Sequence, residues 1–266
     1  MPWSLRYLST HSQNMDRTNT AALTALRLPR PACANFDFSR KHHTRICIPQ
    51  GSSWHSETHW HDHRSSCDVL ECTEGRLKVS YSFESYSGGS SALPQGTHHS
   101  FHEGERTTWS SERRHKDLVV ILVANETFYR NMCSAILNAN RFPVLSSTPL
   151  WLRVLFKLLT LWPSAYQWLL SGLLWVQLQA IKHAHGYYTL HGTIRLVKLW
   201  QWTHPFDTVL PPKWLTKLQW QSQCILSKVT ESACFWIGKC LGMRGQYPEY
   251  TPQYAYDEDG KAMHAR

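Results

Sequence analysis

Charged side chains are scarce in this sequence, and acidic ones are the scarcer kind. Only 18% of the 266 residues are charged, and the 28 Lys and Arg outnumber the 19 Asp and Glu, which gives a formal net charge of +9. A positive balance can attract nucleic acid or an anionic membrane surface. The basic residues form no long run, however, since the clusters at 40–45 and 113–116 are short. We therefore expect no nucleic-acid partner.

The eight cysteines include no Cys-x-x-Cys pair, and no apolar stretch opens the chain as a secretory leader would. These absences argue against a zinc finger and against a disulfide scaffold, and they favour reduced thiols in an intracellular, cytoplasmic location.

Residues 1–44 are rich in Ser, Thr, Arg and Asn and have only Asp16 and Asp37 as acids. This composition predicts a disordered N-terminal extension, with a mitochondrial transit segment as the alternative.

Long uninterrupted apolar runs are also missing. The most apolar stretches, 150–161 and 166–181, are separated by Pro163, and Arg153 and Lys157 interrupt the first. Neither stretch reaches the roughly 20 apolar residues that a membrane-spanning helix needs. Three tryptophans suited to a membrane interface lie in the same region: Trp162, Trp168 and Trp175. Two interpretations remain, namely contact with a membrane surface, or an amphipathic helical pair packed on the rest of the chain or on a partner subunit.

Three types of sequence follow the extension. Residues 45–130 predict short strands: 76–83 alternates polar and apolar residues, as a half-buried strand does, and 118–123 is a continuous apolar run suited to a buried strand. Residues 131–250 are rich in Leu and Trp and predict helices, and 251–266 form a polar tail. The fold class we expect is mainly β, a barrel or sandwich followed by a helical C-terminal region.

Histidines mark a candidate metal site in the β region. His59 and His61 are two residues apart, so on a strand they share one face. His99 follows a turn that contains Pro94 and Gly96. Neutral imidazoles combined with one carboxylate suit Fe(II), Mn, Ni, Cu or Zn, and four protein ligands leave positions for a substrate or dioxygen.

The spacing around these histidines resembles the two motifs of the cupin superfamily. The chain reads His-x-His, then Asp68, six residues and Gly75; it later reads Gly88, five residues, and Pro-x-Gly-x-x-His. The resemblance implies a small jelly-roll barrel. It also implies a divalent transition metal, with Fe(II) favoured, on a set of four ligands: His59, His61, Asp68 and His99.

This chain departs from the family pattern at the acid. The family has Glu where this chain has Asp68, and three or four residues between the second histidine and the acid, where this chain has six. His63 and Glu71 are alternatives to Asp68, although Glu71 has the wrong strand phase. The final Asn of the family's second motif is replaced by Glu103.

A narrower resemblance lies outside the barrel. Residues 127–131, the Trp- and Leu-rich stretches and residues 241–252 resemble fungal cupin-domain oxidoreductases of secondary-metabolite clusters, including clusters that make salicylaldehyde-type polyketides. The resemblance covers 46–162 and 212–253, whereas 172–211 match nothing in it and are either an insertion or a translated intron.

This resemblance implies an oxidoreductase that acts on a small hydrophobic, polyketide-like intermediate, and a homodimer paired through the sheets. A non-redox cyclase or isomerase with the same site is an alternative, as is a non-catalytic protein that binds a small molecule. Three residues are acid–base candidates: Tyr81, Glu84 and Glu103.

Overall fold

The computed structural model describes residues 20–40, 43–56, 59–61, 69–83, 86–101, 105–112, 116–123, 126–145, 148–189, 213–247 and 250. The strands found there are β1 Ala25–Arg27, β2 Asn35–Arg40, β3 His43–Ile48, β4 His59–His61, β5 Val69–Glu74, β6 Arg76–Phe83, β7 Tyr86–Pro94, β8 His98–Ser100, β9 Arg106–Ser111, β10 Leu118–Val123 and β11 Tyr187–Thr189. The helices are α1 Glu126–Asn138, a 3-10 helix Ala139–Val144, α2 Leu150–Leu159, α3 Pro163–His185 and α4 Lys213–Cys240.

Strands β3 to β10 pair in a nested order. β3 pairs with β10, β4 with β9, β5 with β8 and β6 with β7, all antiparallel. The result is two sheets, ordered β1-β2-β3-β10-β5-β8 and β11-β4-β9-β6-β7. Eight strands folded back on themselves into two sheets form a jelly roll. The expected fold class, a mainly β barrel followed by a helical region, is confirmed.

The core forms where apolar residues alternate along the strands. Ile46 and Ile48 of β3, and Leu77 and Val79 of β6, are fully buried, while their neighbours 45 and 78 are exposed. This period of two places one face of each strand against the opposite sheet. An aromatic group completes this core: Trp54 lies 4.9 Å from Trp109 and 6.0 Å from Phe36, measured between ring centroids.

The N-terminal expectation is wrong for residues 20–40. They form β1 and β2, which extend the six-stranded sheet beyond β3. Phe36 and Phe38 are buried two residues apart, an alternation that the polar composition of the whole segment hides. Arg130 of α1 holds these two strands against the helix: its guanidinium donates a hydrogen bond to the Leu23 carbonyl at 2.6 Å and lies 4.3 Å from the Phe38 ring centroid. Residues 1–19 lie outside the described part of the chain.

The helical region is joined to the barrel through β11. α3 ends at Gly186, whose φ of +70° turns the chain into a strand that pairs with β4. Tyr187 stacks on Phe128 of α1 at 4.2 Å, and α4 packs along α3. Residues 172–189 are therefore integrated in the fold, while 190–212 lie outside the described residues.

Within the described residues, no helix is both long and apolar enough to cross a membrane.

We expect Gly75→Ala to destabilise the barrel more than Gly51→Ala does. Both glycines have positive φ, +85° and +74°, so each alanine incurs the left-handed penalty of about 1 kcal/mol. Only at Gly75 would the new Cβ also lie 2.6 Å from a backbone atom, the carbonyl oxygen of Asp117; at Gly51 nothing lies within 4 Å. Urea unfolding should show an additional loss of about 1–2 kcal/mol for Gly75→Ala. Equal losses in the two variants would contradict this account of the turn.

Candidate functional site

His99 lies on the interior face of the six-stranded sheet. The register of β8 with β5 places it opposite Leu70, which is fully buried, and its own side chain is 17% exposed. The preceding turn is held at both ends: the amide of Gly96 donates to the Cys72 carbonyl at 2.8 Å, and the Cys72 amide donates to Thr97 at 2.9 Å. Gly96 supplies the positive φ of +81° that this turn requires.

Cys72 itself adds no reactive group to this region. Its side chain is fully buried, and burial raises the pKa of its thiol. The thiol therefore stays protonated at neutral pH and packs as a small apolar group rather than serving as a thiolate ligand.

His59 and His61 belong to the facing sheet. The register of β4 pairs His59 with Thr107 on one side and His61 with Tyr187 on the other. Thr107 and Tyr187 are both buried, and residues directly opposite each other occupy the same face of a sheet. Positions 59 and 61 are thus on the buried face of their sheet, as the alternation predicted, and position 60 is on the other face.

A buried carboxylate next to His99 was missed by the sequence analysis. Glu105 immediately precedes β9 and its side chain is only 1% exposed; its Oε1 lies 2.9 Å from Nε2 of His99. Glu105, Thr107 and Trp109 alternate and all three are buried in the structure, but nothing in this polar stretch of sequence marks position 105 as an interior one.

Two aromatic rings adjoin His99. The Tyr81 ring centroid is 5.6 Å from that of the imidazole, and the Phe101 centroid is 5.1 Å away in an edge-on arrangement. Gly89, opposite Tyr81 in β7, leaves room for the phenol: a Cβ there would lie 2.8 Å from the Tyr81 hydroxyl oxygen. Of the three acid–base candidates, Tyr81 is beside His99, while Glu84 and Glu103 lie outside the described residues.

The acid of the proposed ligand set is not among the described residues. Asp68 and His63 lie outside the described residues. Glu71 pairs with His98 on the outer face of the sheet, and both are exposed, so this alternative to Asp68 is wrong. The described side chains contain no group of three His, Cys, Asp or Glu residues arranged to hold a metal; those of positions 59, 61 and 68 are not among them.

The His99–Glu105 pair nevertheless fits a metal site. Two donors that bind one ion at about 2.1 Å and at a right angle to each other are about 3.0 Å apart. The 2.9 Å between Nε2 and Oε1 matches that separation. Without an ion, the same contact is a hydrogen bond between a ring nitrogen and a buried carboxylate, which orients the imidazole.

Comparisons with known proteins find similarity only to solved structures, and only over part of this chain. No family model matches the chain, and no curated protein is similar to it. Similar solved structures include the Drosophila melanogaster CENP-C cupin domain, with TM-score 0.28, 11% identity, and coverage of 37% of this chain and 69% of that one. Lactobacillus farciminis oxalate decarboxylase gives 0.25, 17%, 30% and 22%, and hydroxypropylphosphonic acid epoxidase from S. wedmorenis gives 0.27, 11%, 37% and 52%.

Likeness at this level assigns no activity. The class that the chain's own fold and site define is a double-sheet jelly-roll barrel with a buried His–carboxylate pair facing its interior.

We expect a double-mutant cycle to show that His99 and Glu105 are energetically coupled. Urea unfolding of His99→Gln, Glu105→Gln and the double variant should give a coupling free energy of about 1–3 kcal/mol, because the pair is nearly excluded from water. Arg45 and Glu74 are the control: they are 3.9 Å apart with more than half of each side chain exposed, so their coupling should stay below about 0.5 kcal/mol. Additive losses at 99 and 105 would show that the contact is absent in solution.

Proposed function

We propose that this barrel is a metal-dependent enzyme of the cupin type that acts on a small hydrophobic molecule. One observation carries the proposal: His99, joined to the buried Glu105, is on the interior face of one sheet, and positions 59 and 61 are on the buried face of the other. A barrel of this size can enclose one small ligand between its sheets. Buried polar groups of this kind in an otherwise apolar core are typical of functional sites.

The proposed ligands are His59, His61 and His99, with a carboxylate from Asp68 or Glu105. Glu105 is supported by its 2.9 Å contact with His99, whereas Asp68 is supported by its spacing from Gly75. Nitrogen and oxygen donors of this kind suit Fe(II), which we favour, and also Mn, Ni, Cu or Zn. When bound, such an ion supplies Lewis-acid or redox chemistry.

The remaining described residues would bind the substrate and manage protons. Tyr81 and Phe101 adjoin His99 with their rings, so they can pack against a flat apolar molecule and exclude water from the imidazole. The Tyr81 hydroxyl is the acid or base that we propose for proton transfer, because Tyr81 is the candidate among the described residues and its ring adjoins His99. The oxidation step and the polyketide-like substrate rest on the resemblance of residues 127–131 and 241–252 to the fungal oxidoreductases.

Metal binding tests this function directly. The purified chain is loaded with Fe(II), Mn, Ni, Cu or Zn, desalted, and analysed by mass spectrometry for ions per chain. We expect about one ion in the wild type and at least tenfold weaker binding in His59→Ala and in His99→Ala. His98→Ala is the matched control, because His98 is the exposed neighbour of His99 on the same strand, and it should retain the metal.

The carboxylate ligand is decided by the same assay. Loss of metal in Glu105→Gln with retention in Asp68→Asn assigns the ligand to Glu105, and the reverse assigns it to Asp68. A wild-type chain that binds none of the five ions, or equal binding by the His98 and His99 variants, would overturn the metal-dependent function.

A second function is favoured by the same pair. A histidine oriented by a buried carboxylate is also the arrangement of a general acid–base catalyst, which supports a non-redox cyclase or isomerase. In that case turnover of a polyketide-like substrate would resist a chelator, and Glu105→Gln would abolish it while leaving substrate binding unchanged.

A further inference from the structure

Helix α2 exposes an apolar stripe that no described part of the chain covers. Six large apolar residues of α2 and of the turn after it are exposed, with fractions from 48% for Val154 to 76% for Leu161. They are Leu150, Trp151, Val154, Leu158, Leu161 and Trp162. Trp168, on the second turn of α3, is 79% exposed. We call residues 150–168, which include this turn, the elbow.

The stripe is one side of a helix whose opposite side packs against the rest of the chain. Positions 150, 154 and 158 recur every four residues and share a face, while Leu152 and Phe156 are buried against α3, with the Phe156 ring 5.4 Å from that of Tyr166. α2 therefore has its packing partner already. The exposed stripe is an additional apolar surface, and a cluster of exposed large apolar residues is typical of an interaction site.

Basic side chains form a row beside the stripe. Arg153 and Lys157 are four residues apart, each one position before an exposed apolar residue. Together with Leu150, Val154 and Phe156 they line a groove of about 440 Å³. The Arg153 Nε donates to the Thr148 carbonyl at 2.8 Å, which holds its guanidinium at this groove. Apolar lining combined with two cations suits a molecule that has an apolar body and an anionic head.

The surrounding sequence contains nothing that would repel an anion. Residues 127–206 include no Asp or Glu, while Lys and Arg occur throughout. A second copy of the chain is a poor occupant, because an isologous contact would bring the Arg153–Lys157 rows of the two copies together. Trp and Leu beside Lys and Arg are typical of helices that lie in the interface of a bilayer.

We propose that the elbow docks on the surface of an anionic phospholipid bilayer. The exposed Leu and Trp side chains enter the interfacial layer, and Arg153 and Lys157 face the lipid phosphates. The ten residues of α2 extend only about 15 Å, half the thickness of the hydrocarbon core, so the elbow lies on the membrane and does not cross it.

Co-sedimentation with vesicles tests this proposal. Vesicles of phosphatidylcholine alone are compared with vesicles that contain about 30% phosphatidylserine, at about 0.1 M and 0.5 M salt. We expect the full chain to bind the anionic vesicles about tenfold more tightly, and the higher salt to remove most of that preference. Arg153→Gln with Lys157→Gln should remove the preference, and Leu161→Ser with Trp162→Ser should weaken binding about tenfold.

The matched control lies on another helix. Trp214 and Trp236 of α4 are about as exposed as Trp162, so Trp214→Ser with Trp236→Ser removes more exposed aromatic surface than the elbow variant does, without touching the elbow. It should change vesicle binding less than twofold. Circular dichroism identifies any variant that fails to fold, and the elbow variant that remains folded then decides.

Three results would overturn the assignment. They are equal binding to neutral and anionic vesicles, retained binding in the folded elbow variants, and loss of binding in the α4 control. If the chain binds no vesicles and light scattering shows that Leu161→Ser with Trp162→Ser dissociates an oligomer, the elbow is a contact between copies instead.

Discussion

The pairing of β4 with β9 is the constraint on which the site depends. β4 has only three residues, and its position is fixed by hydrogen bonding to a strand more than forty residues later in the chain. A shift of one residue in this register would move positions 59 and 61 to the outer face. Neighbouring pairs limit such a shift, because β9 also pairs with β6 over six residues and β3 pairs with β10. The nested order of the jelly roll thus positions the histidines before any ligand is bound.

Much of this barrel is predictable because it follows a period of two. The alternation at 76–83 and the apolar run at 118–123 match β6 and β10, and the spacing from Gly75 and Pro94 placed positions 59, 61 and 99 on interior faces. Features that depend on distant contacts were missed. Glu105 is an ordinary acid in the sequence, and its burial goes with a hydrogen-bonding partner, His99, that lies on another strand. The strands β1 and β2 escaped notice because the two buried phenylalanines are a small part of a polar segment.

The interior of the barrel contains an apolar aromatic cluster, which stabilises the fold, and a polar pair, His99 and Glu105, whose burial costs free energy. Trp54, Trp109 and Phe36 pack together as an apolar cluster, and aromatic pairs of this kind add stability beyond their buried area. Burial of Glu105 is costly, and His99 supplies a hydrogen bond that offsets part of the cost. An apolar residue at 105 would serve the core at least as well. The carboxylate therefore argues for a chemical role, since a local violation of good packing is expected at functional sites.

The C-terminal region matters to the site because it covers an edge. Without β11, β4 would be the outermost strand of its sheet, and an uncovered edge strand is prone to slip or to pair with other chains. Tyr187 closes that edge opposite His61 and stacks on Phe128 of α1. α3 leads to this strand from the elbow, and Gly186 makes the change from helix to strand possible by adopting a φ of +70°. A helix of 23 residues therefore connects the proposed membrane contact to β11, the strand that pairs with β4, and β4 carries two of the three proposed histidine ligands.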